Sequence, residues 1–522
     1  MTNSAGSPPS NRRLAQESAV VGLCLVALVT AAASWFFYHG YILYYGDAAA
    51  HLNISRTLID SRTPGYDQLG TVWLPMLHVL CLPFVGNDWL WSTGLAGTLP
   101  VAMCLVLAGT CFYLAARLAY RDALAATVAV ACFALNPNLL YLASIPMTEV
   151  VFFAGLAVLL FALFAFRESQ QQYLIVLGAA ASCAMSLTRY DGWFLIPFAG
   201  LAFALFTRKH RVAIMVVFVA LASIAPLYWM AHNFWETNDA LDFIRGPYSA
   251  AAIQAGRPYP GFHNWPVAFH YYLKAGQLCT GWPLLLLGII GCFCAVRGAA
   301  LAPILFLMLT PLFYVWSVHS SATPIHVPQL PPFSYYNTRY GMALLPPAAF
   351  AAGAIVLVLR QRIRRWATVI PLVAISGWLI QPGEGHWICW KESQVNSVGR
   401  RAWIDAGARF LREHDGVGQG ILTASGSGDL AEIFPKVFVP LADTLNIGNG
   451  PAYFAAITRP DLVHTEHWAI AADGDAVSNA IKRNKYLDYQ LIERVNVKDE
   501  PALEIYERRE RAGELLRSAG VQ

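Results

Sequence analysis

Over its first three quarters the chain does not alternate apolar with polar residues. Apolar residues run on in blocks, many of them near twenty long, broken by short polar stretches. At about 1.5 Å per residue a helix of that length crosses a hydrocarbon core of about 30 Å. The pattern predicts about eleven spans: Ala19–Tyr38, Trp89–Ala116, Ala123–Leu140, Thr148–Phe166, Tyr173–Leu187, Gly192–Phe206, Val212–Ala231, Gly281–Val296, Leu301–Val318, Tyr340–Leu359 and Ala367–Ile380. Some are short, so re-entrant or tilted pieces are expected around Asn136–Pro146 and Arg189–Gly192. The first run follows Arg12 and Arg13, is too long for a signal peptide and is read as a retained span.

After Ile380 the pattern becomes that of a soluble domain. "GQGILTASGSGDLAEIF" reads as a strand, a Gly/Ser turn and a helix with Asp429 near its start, while "YQLIERVNV" and "ALEIYERRE" read as strands. A small α/β domain over 381–522 is expected beside a helical domain over 1–380. The Gly/Ser turn lacks a P-loop lysine and the GxGxxG spacing. It reads as a structural turn before a phosphate cradle.

Composition sharpens this. The 522 residues are 57% hydrophobic and 13% charged, about half the charge of a soluble chain. A net charge of +4 without a basic stripe points away from nucleic acid. The ten cysteines form no CxxC pair, and Cys292 and Cys294 have the wrong spacing for zinc. A pairing of Cys279 with Cys389 stays open.

Charge then sets sidedness. Arg12, Arg13, Arg117, Arg121, Arg167, Arg208, Lys209, Arg211, Arg297, Arg360, Arg362, Arg364 and Arg365 fall on one side, which marks it as cytoplasmic. The N-terminus is then inside and the tail outside a multi-pass protein of the inner (plasma) membrane, in the periplasmic part of the cell envelope. Long outer loops are expected at 40–87, 232–280 and 319–339. The basic residues placed outside go against the bias: Arg56, Arg62, Arg189, Arg245, Arg257, Lys274 and Arg339.

The candidate chemistry lies at that outer face. Asp47 follows the first span and shares a helix face with His51. An ionised carboxylate beside lipid is costly and is a functional candidate by default, although Asp47 also reads as a helix N-cap. The helix is expected to lie along the membrane surface with its polar face toward a cavity. Glu149 in "YLASIPMTEVVFF" stands at the mouth of the fourth span, either as a first-turn acid or as a second reactive group. Asp47, His51 and Glu149 together would offer ligands to a divalent cation: Mg, Mn or, with histidine, Zn. Arg189 in "SLTRYDGWFLIP" and Arg339 in "SYYNTRYGMALLPP" are interface anchors or, as a matched pair, a two-point grip on phosphate.

At these residues the sequence resembles the GT-C superfamily of integral-membrane glycosyltransferases. Within it, the chain is similar to bacterial relatives of the dolichyl-phosphate-mannose protein mannosyltransferase and lipid A aminoarabinose transferase families. The likeness is carried by "YYGDAAAHLNISR", "QLGTVWLPMLHVL", "ASIPMTEVVFF", "SLTRYDGWF", "NTRYGMALLPP" and a tail ending in a "YERR"-type strand. It implies a mainly α, polytopic GT-C bundle. It implies that Asp47 is the catalytic base, with Glu149 as the acid of the next outer turn. Arg189 and Arg339 would lie near the donor phosphate. Beside the resemblance, Arg56, Tyr190, Arg245 and Arg257 are expected to assist them and Trp73, His78 and Tyr340 to line the substrate pocket, Trp73 reading equally as a packing residue and His78 more readily as an interface histidine. The donor would be a polyprenyl-phosphate sugar drawn from membrane lipid, and the acceptor a hydroxyl on a glycan, lipid or protein. Many relatives have two adjacent acids in the first loop. Here Ala48 follows Asp47, which puts metal dependence in question. A polymerase or ligase using a lipid-diphosphate glycan is the alternative. A lipid-linked sugar transporter is disfavoured by the lack of internal repeats.

Overall fold

The computed structural model of the chain describes residues 11–296, 301–381, 384–414, 418–459, 466–483, 489–498 and 500–508. Arg297 and the end of "ALEIYERRE" lie outside them. The protein is a polytopic helical bundle with a small five-stranded sheet toward its C-terminus. Among the described residues six single helices are long and apolar enough to cross a membrane: Asn11–Tyr38, Leu95–Tyr120, Thr148–Ser169, Arg211–Thr237, Leu301–Ser320 and Thr338–Val358. Trp265–Thr280 and Trp282–Ala295 form a further, bent pair at 105°, hinged on Gly281. Met76–Val85, Ala123–Ala134, Tyr173–Ser186 and Asp191–Phe206 are shorter apolar helices.

Most expected spans are present with shifted ends, and the shifts have local causes. The span expected from Trp89 begins instead at Leu95, because Gly94 takes a left-handed conformation and ends the short helix Asp88–Thr93. The span expected over Ala123–Leu140 breaks at Asn136. That side chain accepts from the Asn138 and Leu139 N–H groups, and Pro137 starts a new helix, Pro137–Leu142. The stretch 232–280 is not an open loop. Asn264 caps Trp265–Thr280 by accepting from Val267 N–H, with Pro266 in the first turn. The last expected span is broken into Val369–Ala374 and Ser376–Ile380.

Thr148–Ser169 and Thr338–Val358 are the most enclosed of these helices, each with its most apolar window 83% buried, whereas that of Asn11–Tyr38 is only 17% buried. Between apolar helices association comes from close packing rather than from water exclusion. Small residues supply it: a Cβ on Gly291 would run into the Ala351 carbonyl on the helix Leu345–Ala354.

The chain divides into two compact units. One comprises Met1–Tyr41, Thr71–Leu77 and Thr98–Glu392; the other comprises Ile42–Gly70, His78–Gly97 and Ser393–Gln522. The break near Glu392 lies past the expected boundary at 380, and most of the first outer loop belongs with the tail. Bonds inside this second unit explain why. Asp60 accepts from the Leu441 and Ala442 N–H groups, Arg62 pairs with Glu466 at 2.6 Å, and Arg400 donates to the Tyr44 carbonyl.

The sheet of this unit has strands β1 (Ile421–Thr423), β2 (Thr444–Leu445), β3 (Trp468–Ala472), β4 (Tyr489–Val495) and β5 (Leu503–Arg508), in the order β2-β1-β3-β5-β4. β1 runs parallel to β2 and β3, and β5 is antiparallel to β3 and β4. β1 and β3 are apolar apart from Thr423 and are buried but for Ala472 at the end of β3, because both faces are covered. β4 is an exposed edge carrying Gln490, Glu493 and Arg494, residues that discourage pairing with another chain. The Gly/Ser segment leads from β1 into the 3₁₀ turn Asp429–Glu432 and the short helix Ile433–Lys436.

Candidate functional site

Two short turns and one helix start bring together the charged residues of the first unit. Pro146 and Met147 precede the helix Thr148–Ser169, and Glu149 lies in its first turn, where exposed N–H groups and the helix dipole favour a negative charge. Arg189 sits in the turn between Tyr173–Ser186 and Asp191–Phe206. Arg339 lies in the 3₁₀ segment Thr338–Leu344. Each arginine is followed within three residues by a glycine that admits no side chain. A Cβ on Gly192 would lie 2.7 Å from Met185 backbone, and one on Gly341 would strike the Ala275 and Gly276 backbone. These contacts press both turns against neighbouring helices.

The two guanidinium groups converge on one oxygen. Glu149 Oε1 accepts from Arg189 Nη1 and from Arg339 Nε, each at 3.0 Å. Arg189 also donates to Thr148 Oγ1 at 2.8 Å and, through Nε and Nη2, to the Tyr314 hydroxyl at 3.0 and 2.8 Å. That hydroxyl in turn donates to Asp191 Oδ2 at 3.1 Å. Arg339 Nη1 reaches Glu392 Oε1 at 3.4 Å, and Glu392 Oε2 accepts from the Thr338 N–H and hydroxyl. Both guanidiniums lie over the Tyr340 ring, 5.0 and 5.4 Å from its centre.

Glu149 is 4% exposed, and its Oε2 has no hydrogen-bond partner among the described residues. The cluster holds one more carboxylate than guanidinium. Removing one partner of such a buried set costs about 3–5 kcal/mol, because a buried charge is left uncompensated. Glu149, Arg189, Asp191, Tyr314, Arg339 and Tyr340 surround a cavity of about 10 Å³, near the least volume that takes one water. A phosphate therefore requires these side chains to part. A larger cavity of about 590 Å³, among Val20, Leu28, Tyr113 and Ala131, is apolar and is lined by none of the site candidates.

Tyr190 turns away from this cluster. Its hydroxyl donates to the Val72 carbonyl at 2.8 Å, and its ring stacks on Phe243 at 5.0 Å. Arg245 is exposed and makes a two-point contact with Asp239 at 2.8 Å. Arg257 is exposed and makes no ion pair among the described residues. Trp73 is half-buried.

In the second unit Asp47 lies in the first turn of the helix Gly46–Thr57. The N-cap position is Tyr45, so Asp47 does not cap the helix. The helix is not a surface helix with one wet face. His51, Leu52, Asn53, Ser55 and Arg56 are all buried. His51 Nδ1 and His78 Nε2 are 2.9 Å apart, so His78 does lie against this helix. Arg56 has every guanidinium nitrogen engaged: Asp60 at 2.6 Å, the Val85 carbonyl at 2.9 Å and Asp88 at 2.8 Å, over the Trp91 ring. Among the described residues no group of three or more His, Cys, Asp or Glu is placed to hold a metal ion. The expected set of Asp47, His51 and Glu149 is thus not supported as a metal site.

Four members of the first cluster were not foreseen from sequence: Thr148, Asp191, Tyr314 and Glu392. Asp191 carried a usable signal, an acid two residues from an out-of-place arginine. Glu392 carried none.

Comparison with known proteins is consistent with this architecture. No family model and no curated protein matches the chain. Among solved structures it is similar to ArnT from Cupriavidus metallidurans in the apo state, with 14% identity and a TM-score of 0.56 over 92% of this chain and 97% of that one. It is also similar to the arabinofuranosyltransferase AftD from Mycobacteria, with 15% identity and a TM-score of 0.42 over 97% of this chain and 40% of that one. The first likeness, over nearly the whole of both chains, shows that the two share a fold.

Proposed function

We propose that the chain is a membrane glycosyltransferase that moves a sugar from a polyprenyl-phosphate donor to an acceptor hydroxyl at the outer face of the membrane, with inversion. The observation that carries this reading is the buried convergence of Arg189 and Arg339 on Glu149. In this fold, cations at a dry helix start suit a leaving group that gains negative charge. The acceptor hydroxyl attacks the anomeric carbon, and the carbon–oxygen bond to the lipid phosphate breaks. Asp47 takes the hydroxyl proton, a role worth about 10²–10⁴-fold in rate.

Glu149 holds the two arginines in register. The donor phosphate takes N–H groups of both arginines when the cluster parts, displacing first the contact between Arg339 and Glu392, at 3.4 Å the longest hydrogen bond in the set. Arg257, which makes no ion pair among the described residues, serves as an auxiliary phosphate contact. Arg56 and Arg245 have carboxylate partners and are left out. The sidedness belongs to the same proposal, with the N-terminus cytoplasmic and the sheet-bearing unit outside the inner membrane.

The test supplies purified protein in lipid nanodiscs with radiolabelled polyprenyl-phosphate sugars and, in parallel, lipid-diphosphate glycans. Release of free polyprenyl phosphate with label on an acceptor is expected only with the former. Asp47→Asn is expected to keep expression and thermal stability while reducing transfer by at least about 100-fold. Near-normal turnover by this variant removes Asp47 from the mechanism.

A further inference from the structure

We propose that Cys279 and Cys389 are joined by a disulfide in the mature protein. Cys279 lies in the last turn of Trp265–Thr280 and Cys389 is the second residue of Ile388–Asn396, both in the first unit and both fully buried. Asn138 holds the two backbones together. Its Nδ2 donates to the Cys279 carbonyl at 3.1 Å, and its Oδ1 accepts from Cys389 N–H at 3.0 Å. Asn136 donates to the same Cys279 carbonyl at 3.0 Å. The side chains complete the approach. Cys279 Sγ donates to the Thr338 carbonyl at 3.1 Å, which commits its proton, and the Cys389 thiol lies within electrostatic reach of Cys279. Both are free thiols in the structure, and a bond between them requires the sulfurs to close to about 2.05 Å.

Most of the other cysteines are spread along apolar helices, as small packing residues are. Cys279 and Cys389 join segments far apart in sequence beside Thr338, whose N–H and hydroxyl hold Glu392. A bond there ties the hinge of the bent helix pair to the segment that carries Glu392, and so fixes the frame behind Arg339. The chemistry is thiol–disulfide exchange during folding, before the pair is buried. One cysteine thiolate attacks an external protein or small-molecule disulfide, and the second displaces the mixed disulfide so formed. The two cysteines lose two protons and two electrons, and the oxidant leaves as two thiols. An oxidising compartment outside the cytosol is required.

The inference does not depend on glycosyl transfer, and its test reads thiols alone. Full-length protein is purified from membranes with N-ethylmaleimide present throughout. It is then unfolded and digested with or without a reductant followed by a second, heavier maleimide. The peptides bearing Cys279 and Cys389 are expected to be linked before reduction and to carry only the heavy label after it. Light label on both residues in unreduced protein overturns the proposal. The thermal midpoint of the wild type is expected to fall on reduction, and that of Cys279→Ser/Cys389→Ser to be indifferent to reductant. A wild-type midpoint equally indifferent overturns it too. Peptide mapping of the wild type decides the question even where the double variant fails to fold.

Discussion

Two regions of this protein solve the same local problem, one carboxylate bridging two cations, with opposite results. On the sheet, Glu504 Oε1 accepts from Lys482 at 2.8 Å and from Arg494, while Oε2 accepts from the Ser478 and Tyr506 hydroxyls at 2.8 and 2.7 Å. Both oxygens are saturated. The cations remain wet, with side chains 44% and 40% exposed. In the bundle, Glu149 gives one oxygen to both arginines and leaves the other without a partner among the described residues. Its cations are dry, at 13% and 10%. A saturated, half-wet bridge is what a structural ion pair needs. A dry bridge with an unsatisfied oxygen costs stability, and it persists where it serves something other than stability.

The sharpest way to break this contrast is to neutralise each carboxylate in turn. Glu149→Gln leaves two buried guanidiniums around a neutral amide, a change of the kind that costs about 3–5 kcal/mol. Transfer is expected to fall by at least about 100-fold, with a lowered thermal midpoint. Glu504→Gln is expected to leave turnover unchanged. Equal activity losses in the two variants would show that the bundle cluster has no special role. A smaller effect is expected from Arg339→Lys. Lysine keeps the charge but not the fork that reaches Glu149 and Glu392 together. Losing one charge-assisted hydrogen bond, about 1.5–3 kcal/mol, corresponds to a fall in kcat/KM of roughly 10–100-fold. Steady-state kinetics against the lipid donor would show it, and an unaltered donor KM and kcat would take Arg339 out of the site.

The arginines were legible because charge is out of place in apolar runs. Glu149 was legible for the same reason. Glu392 was not: it sits in a polar segment and meets Arg339 only through the tertiary fold. The spans were legible as blocks, but their ends depended on caps. Asn264 followed by Trp265 and Pro266 is a helix start, yet the aromatic stretch around it reads as loop. The assignment of 42–70 to the sheet-bearing unit rests on pairs such as Arg62 with Glu466, whose members lie in opposite halves of the chain. No local pattern encodes that. The buried helix Gly46–Thr57 misleads for a related reason, because its polar residues Asn53 and Arg56 face protein partners where its pattern suggested water.

Acid sharpens the sheet side of the contrast with a smaller effect. Burial pushes the Glu504 carboxyl up, but hydrogen bonds from Lys482, Tyr506 and Ser478 outweigh it and hold the group below its ordinary 4.5. With the folded value depressed, the bridge contributes stability above the unfolded value and loses it as pH falls through the folded one. Thermal melts in steps from about pH 6 to about pH 3 are expected to show a falling midpoint that flattens in Glu504→Gln. A slope identical in variant and wild type would mean the bridge is not what titrates.

The smallest effect is expected at a third kind of pair, one whose arginine stands in water. Asp239 accepts two hydrogen bonds from Arg245 and one from Leu241 N–H, which lower its carboxyl to about 2. Arg245 itself is 65% exposed. Water screens such a pair, and side-chain ordering offsets what attraction remains. Arg245→Ala is therefore expected to leave both the thermal midpoint and the donor KM where they are. The experiment has discriminating power because Arg245 belongs to the same set of outward basic residues that singled out Arg189 and Arg339. A donor KM raised about tenfold, equivalent to about 1.4 kcal/mol, would mean that an exposed, carboxylate-paired arginine also grips phosphate. Burial would then no longer separate the working cations from the ornamental ones, and the contrast between Glu149 and Glu504 would lose its meaning.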